Sequence, residues 1–236
     1  MTEDYIAIES VCKSYGKAEA EQLVLDNITL QVSKGERIAL LGHSGCGKST
    51  LLNLVSGIDH ADSGSITVNG TDLTRLPEKE LTLFRRQHIG FVYQSFNLIQ
   101  TLTALENIEL PLQINGFETQ EIKDKSIHLL DRVGLADRAD AFPDQLSGGE
   151  QQRVAIARAM VHSPALVLAD EHTGNLDADT GREMIDLFNE LAASGNQTVL
   201  MVTHSQTIAN TADRIVHFSQ GRLTTDHNPG ESSLAW

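Results

Sequence analysis

Cysteine is almost absent: Cys12 and Cys46 are the two thiols in 236 residues. That excludes a disulfide-stapled secreted scaffold and points to a reducing compartment. Proline (5) and glycine (18) are too few for a collagen-like or low-complexity chain. No stretch approaches the ~18 consecutive apolar residues of a membrane-spanning helix. The acidic start Met1-Thr2-Glu3-Asp4 lacks the apolar run of a signal peptide. The expectation is a cytoplasmic protein that works at a membrane only through a partner. Basic side chains are outnumbered, 18 against 32 acidic, for a formal net charge of −14. Such a chain has no general attraction for nucleic acid or anionic lipid, and no nucleic-acid partner is expected. An anionic substrate must therefore be held by a few placed groups.

The hydrophobic fraction of 40% and the length suit one folded domain with room for a subdomain. Tyr5 to Val11 alternates apolar and polar residues and reads as a strand, as does Ile28 to Val32; a polar loop from Gly16 to Gln22 lies between them. Arg37 to Leu41 is a short, nearly continuous apolar run of the kind buried on both faces in a parallel sheet. Ala165 to Ala169 and Thr198 to Val202 are two more. Lys48 to Ser56 and Thr180 to Ala193 read as helices. Pro77 to Met160 is mostly helical in pattern, with a connection at Gln94 to Thr103. The alternation predicts an α/β fold with a largely parallel sheet. Residues 225–236 read as a polar tail.

Three motifs carry chemistry. Gly42-His43-Ser44-Gly45-Cys46-Gly47-Lys48-Ser49-Thr50 fits G-x-x-x-x-G-K-[ST] between a buried strand and a helix. Glycines there let backbone N–H groups curl around phosphate oxygens at a helix N-terminus. Lys48 can reach the β- and γ-phosphates, and Ser49 can ligate Mg²⁺. The run Leu166 to Glu171 ends in two acids beyond a strand. These are either a solvated turn or, beside a P-loop, an Mg²⁺-holding Asp170 and a water-activating Glu171. Leu146-Ser147-Gly148-Gly149-Glu150-Gln151 opens a helix carrying Arg153 and Arg158. It is either a second anion site or a capped helix with a flexible entry. Neither His43 nor Cys46 reads as metal or redox chemistry, since no CxxC or HxxxH spacing exists.

LSGGEQ at Leu146 to Gln151 resembles the signature of ATP-binding cassette (ABC) ATPases. The other motifs of that family occur in its order. Tyr15 stands where the adenine-stacking aromatic lies, and Gln94 matches the Q-loop glutamine. Asn175-Leu176-Asp177 resembles the D-loop, and His204 the switch histidine. The resemblance spans about residues 5 to 223. It implies a P-loop NTPase (RecA-like) core with an antiparallel β subdomain and an inserted helical subdomain, about 95–160, within a domain at 5–224.

The resemblance also implies an ATPase using Mg²⁺. Two copies would bind ATP head to tail, each nucleotide lying between the P-loop of one and Ser147-Gly148-Gly149 of the other. Tyr15, the P-loop, the signature and Asp177 would bind nucleotide. Ser49, Gln94 and Asp170 would serve Mg²⁺, and Lys48, Gln94, Glu171 and His204 would act in hydrolysis. Such a subunit would sit on the cytoplasmic face of the cell membrane, held by a separately encoded permease. Ile89 to Leu112 and Ala169 to Asp177 resemble the lipoprotein-release and macrolide-export branch. Other outputs implied by the family are control of cell-wall hydrolases through a membrane partner, or a soluble ABC ATPase. One departure stands out: the branch has proline after the catalytic glutamate, whereas this chain has His172. It reads as a tolerated replacement for a residue that stiffens the backbone.

Overall fold

The computed structural model describes residues 4–16, 21–171 and 178–227. His172, Asp177 and the rest of 172–177 lie outside the described residues. The chain forms two compact units: residues 1–82 with 198–236, and 83–197.

In the first unit, β1 (Asp4–Tyr15) and β2 (Gln22–Ser33) pair antiparallel. Both run several residues further than their apolar cores suggest. Ile6, Ile8 and Val11 are fully buried. The alternation slips between Ile8 and Val11, where the register shifts and Ser10 takes a φ of 51°. Such a bulge hides a strand from a strict period of two. Residues Ser63–Val68 and Thr71–Asp72, β4 and β5, complete this antiparallel sheet in the order β2-β1-β4-β5.

Strand β3 (Arg37–Leu41) lies parallel to both β8 (Thr198–Thr203) and β9 (Arg214–Ser219). Parallel neighbours on both sides explain why Ile38, Ala39 and Leu40 are all at 0% exposure. Strand β10 (Arg222–His227) turns back antiparallel to β9. It continues through His227, three residues into the segment read as a tail. Helix α1 (Lys48–Val55) follows β3.

The second unit interrupts the helical stretch expected between Pro77 and Met160. Helix α2 (Glu78–His88) leads straight into β6 (Ile89–Val92), parallel to β7 (Leu166–Asp170). Four residues including a glycine give too short a run to signal a strand. Helices α3 (Ala104–Ile114), α4 (Thr119–Arg132), α5 (Gly148–Met160) and α6 (Ala178–Ser194) make up most of the rest. Gly90 on β6 explains the close packing there: an added Cβ would sit 2.1 Å from the Ala159 carbonyl oxygen of α5. Gly90→Ala is expected to destabilise the protein by about 1–3 kcal/mol through overpacking, read as a shift of the urea midpoint at unchanged slope. An unshifted midpoint would show that α5 gives way freely.

Candidate active site

The first unit holds the glycine-rich turn as a cradle between β3 and α1. Strand β3 ends at Leu41, and the chain turns through 42–47 into α1. Gly47, the N-cap, has φ 110°, a left-handed conformation suited to glycine, and supplies no side-chain cap. The first N–H groups of α1 therefore face outward with the positive end of the helix dipole. Glycine is also needed by crowding. A Cβ on Gly42 would stand 2.1 Å from the Phe218 carbonyl oxygen, and one on Gly47 2.9 Å from that of Val24.

Lys48 is only 4% exposed. Its ammonium donates to the carbonyl oxygens of Gly42 (2.8 Å) and His43 (2.9 Å), so the charge is stationed within the turn. The Gly221 N–H donates to the Cys46 carbonyl at 3.2 Å, bracing the turn from the β9–β10 connection.

Tyr15 lies beside this cradle. Its hydroxyl donates to Asp59 Oδ2 at 2.6 Å and is also hydrogen-bonded to Thr50, while the residue stays 43% exposed. Lys13, buried beneath, donates to Asp59 at 2.9 Å, and its ammonium lies 5.0 Å from the Tyr15 ring centre. Burial alone would raise the Asp59 pKa; bonds from Tyr15 and Lys13 reverse this and hold it low. The sequence motifs mark Tyr15 but give no sign of this Lys13–Asp59 anchor. His204, exposed, follows β8 directly.

In the second unit Val92 pairs with Ala169, so Asp170 at the carboxyl end of β7, and Glu171 and Gln94 just beyond the ends of β7 and β6, follow two adjacent parallel strands. Ligands collect at such ends. Asp170 is the last residue of β7 and Glu171 turns out of it with φ 40°. A non-glycine residue in that region is held there by its surroundings.

The signature opens α5 as a capped helix. Ser147 caps α5 in a capping box: its hydroxyl accepts from Glu150 N–H at 3.3 Å, and Glu150 Oε2 accepts from Ser147 N–H at 2.8 Å. The N–H groups of Gly148 and Gly149 occupy the first two helix positions, which intrahelical bonding never uses. The bond from the Ser147 backbone N–H, then that from its hydroxyl, with Arg138 nearby, hold the Glu150 carboxyl below its ordinary range.

Two further residues organise this unit. Arg158 of α5 donates to the carbonyls of Asn97 (2.7 Å) and Phe96 (2.9 Å). Both lie just after Gln94 and have positive φ, 50° and 58°. Burial lowers the Arg158 pKa without removing its charge. Asn107, fully buried, donates from its amide to the carbonyls of Ile99, Leu102 and Thr103 and accepts from Ile99 N–H. Arg158 is visible in the sequence only as a charge on a helix, and Asn107 has no signal there. Arg158→Ala is expected to destabilise the unit by about 2–3 kcal/mol, the worth of hydrogen bonds to a charged group. Residue-resolved hydrogen exchange should show 95–99 losing protection first; unchanged exchange there would deny Arg158 this role.

A family model for ABC transporters matches residues 25–174, and the chain belongs to that family. Its fold is that of the ATP-binding cassette MJ0796, solved as a dimer in a post-hydrolysis state bound to ADP and Pi. The TM-score is 0.88 and the identity 36%, over 96% of this chain and 100% of that one. An uncharacterized ABC transporter ATP-binding protein of Mycobacterium tuberculosis is 49% identical over 92% of this chain and 88% of its own. The lipoprotein-releasing system ATP-binding protein LolD of Colwellia psychrerythraea is 44% identical over 94% and 86%. The macrolide export ATP-binding/permease protein MacB of Burkholderia pseudomallei is 42% identical over 97% of this chain, which spans 35% of that longer protein. Within the family, the chain is an ABC ATPase of the lipoprotein-release and macrolide-export branch.

Proposed function

We propose that this chain is the ATP-hydrolysing subunit of a membrane machine, closing as a head-to-tail homodimer over ATP to move a separately encoded permease. The observation that carries the reading is the cradle of 42–50, with an uncapped helix N-terminus and a buried lysine ammonium bonded to its own turn. Tyr15 stacks on adenine, the P-loop N–H groups and Lys48 hold the phosphates, and His204 meets the γ-phosphate. Glu171 orients and deprotonates the attacking water. Ser147, Gly148 and Gly149 meet the γ-phosphate of the partner's nucleotide, with Asp177 beside them.

Ser49, Gln94 and Asp170 offer oxygen donors alone, a set that suits Mg²⁺. When bound, the ion offsets charge on the β- and γ-oxygens. The helical subdomain at about 95–160, within an ABC domain at 5–224, carries the motion to the permease. No helix among the described residues is long and apolar enough to cross a membrane. The reading puts the subunit on the cytoplasmic face of the membrane through the permease. Its output is movement of the lipoprotein-release or macrolide-export kind. Phosphate release from ATP, with and without EDTA, tests the chemistry: turnover abolished by EDTA supports it. Absence of hydrolysis at every protein concentration, alone and with the permease purified from the same cells, would refute it.

A further inference from the structure

Tyr15 ends β1 with 43% of its surface exposed, so packing alone does not fix its ring. Polar contacts fix it instead. Its hydroxyl donates to Asp59 Oδ2 at 2.6 Å and is hydrogen-bonded to Thr50. Lys13, buried, donates to Asp59 Oδ1 at 2.9 Å and to the His60 carbonyl at 2.7 Å. The same ammonium lies over the Tyr15 ring, 5.0 Å from its centre and within reach of the π-face. Both partners of the hydroxyl lead back to α1. Thr50 is in the first turn of that helix, two residues after Lys48. Asp59 follows its far end, where the N–H groups of Ile58 and Asp59 donate to the Asn53 carbonyl at 2.9 and 3.2 Å and fasten the chain to α1.

One explanation is structural alone: the cluster pins the end of β1 to the segment after α1. Other bonds already do that. The Ser14 N–H donates to Asp62 Oδ2 at 2.6 Å, and the Asp62 N–H donates to the Cys12 carbonyl at 3.0 Å. The second oxygen of Asp59 is spent on a half-exposed ring that the fold does not need to bury.

We propose that Asp59, backed by Lys13, is a positioning residue for the base of the nucleotide: it sets the Tyr15 ring at a fixed place relative to the phosphate turn. The inference rests on the nucleotide reading above. The Lys13 ammonium covers one face of the ring, which leaves the other for the base. The hydroxyl is committed to Asp59 and Thr50, so the ring offers a base its face and no hydrogen bond to its edge. Stacking of that kind accepts adenine and guanine alike, since each has a broad π-face. Because ring and phosphate turn are both tied to α1, the gap between them is preset, and binding need not order the ring first.

The test uses the full chain, with MgADP, MgGDP and magnesium pyrophosphate as calorimetric probes. Pyrophosphate carries the phosphates without the nucleoside. The readout is the ratio of nucleotide affinity to pyrophosphate affinity, so damage to the phosphate turn cancels. Tyr15→Ala should cut that ratio at least about fivefold, as the loss of one stacked base requires. Asp59→Ala should cut it at least about threefold, in line with a lost hydrogen bond to a charged group. Asp59→Asn, which keeps an acceptor but no charge, should fall between Asp59→Ala and the parent. MgADP and MgGDP should lose by the same factor; a loss confined to one base would overturn recognition by the ring face. In a chain that already carries Tyr15→Ala, Asp59→Ala should change the ratio no further, because Asp59 acts through the ring. A parent-like ratio in Asp59→Ala, or a further fall with the ring already gone, overturns the inference. Should Asp59→Ala fail to fold, Asp59→Asn carries the same two comparisons. A ratio unmoved by Tyr15→Ala, or a parent that binds neither MgADP nor pyrophosphate, refutes the nucleotide reading instead.

Discussion

Glu171→Gln protein supplied with MgATP is expected to elute as a dimer and to hydrolyse ATP at least about a hundredfold more slowly than the parent. The substitution keeps the size of the side chain and one acceptor oxygen but removes the base. It leaves β7 intact, since only the residue beyond the strand end changes. In the proposed dimer the phosphates stay held by 42–50 and by the signature of the other copy, so the closed state should accumulate instead of opening on hydrolysis. Without nucleotide the same protein should elute as a monomer. Turnover at the parent rate would remove Glu171 from the chemistry. A monomer with MgATP demonstrably bound, at high protein concentration, would count against the head-to-tail dimer.

The second expected result separates holding ATP from using it. Lys48→Ala should weaken MgATP binding at least about tenfold, because hydrogen bonds from a charged donor are worth roughly 1.5–3 kcal/mol. Some of that loss comes from the turn itself, which forfeits the bonds at 2.8 and 2.9 Å to Gly42 and His43. Ser147→Arg should leave binding to the monomer near the parent value and abolish turnover. It costs about 1 kcal/mol for the lost helix cap and puts a bulky side chain where the proposed dimer would dock the other copy's nucleotide. Calorimetry on both variants, with an ATPase assay, decides the matter. Equal loss of binding in the two would mean that Ser147 serves its own chain's nucleotide.

How far the fold is legible depends on what each element buries. Arg37–Leu41 matches its sequence reading residue for residue, because a strand with parallel neighbours on both sides must be apolar throughout. The N-terminus of α5 is equally plain, since Ser147 and Glu150 form the capping box that their spacing announces. Strand β6 is hidden by its brevity and by Gly90, whose reason is the Ala159 carbonyl in another element. The bulge near Ser10 blurs β1. In the site, the P-loop is readable because its glycines answer to local backbone geometry. The Lys13–Asp59 anchor of Tyr15 and the grip of Arg158 on Phe96 and Asn97 are contacts between distant residues. No local pattern encodes them.

The grip of Arg158 on the segment after Gln94 acts on its main chain and leaves most of its surface side chains out of the linkage. Arg158 holds Phe96 and Asn97 by their carbonyl oxygens, and Asn107 holds Ile99, Leu102 and Thr103 through the main chain. Main-chain anchors are indifferent to the side chains mounted on them. Ser95, Ile99 and Gln100, all exposed, can therefore be exchanged without releasing the segment from the signature helix, whereas Asn97, at φ 50°, is tied to its left-handed backbone. The surface chemistry of this segment can be rewritten side chain by side chain, while the linkage behind it stays mechanically the same.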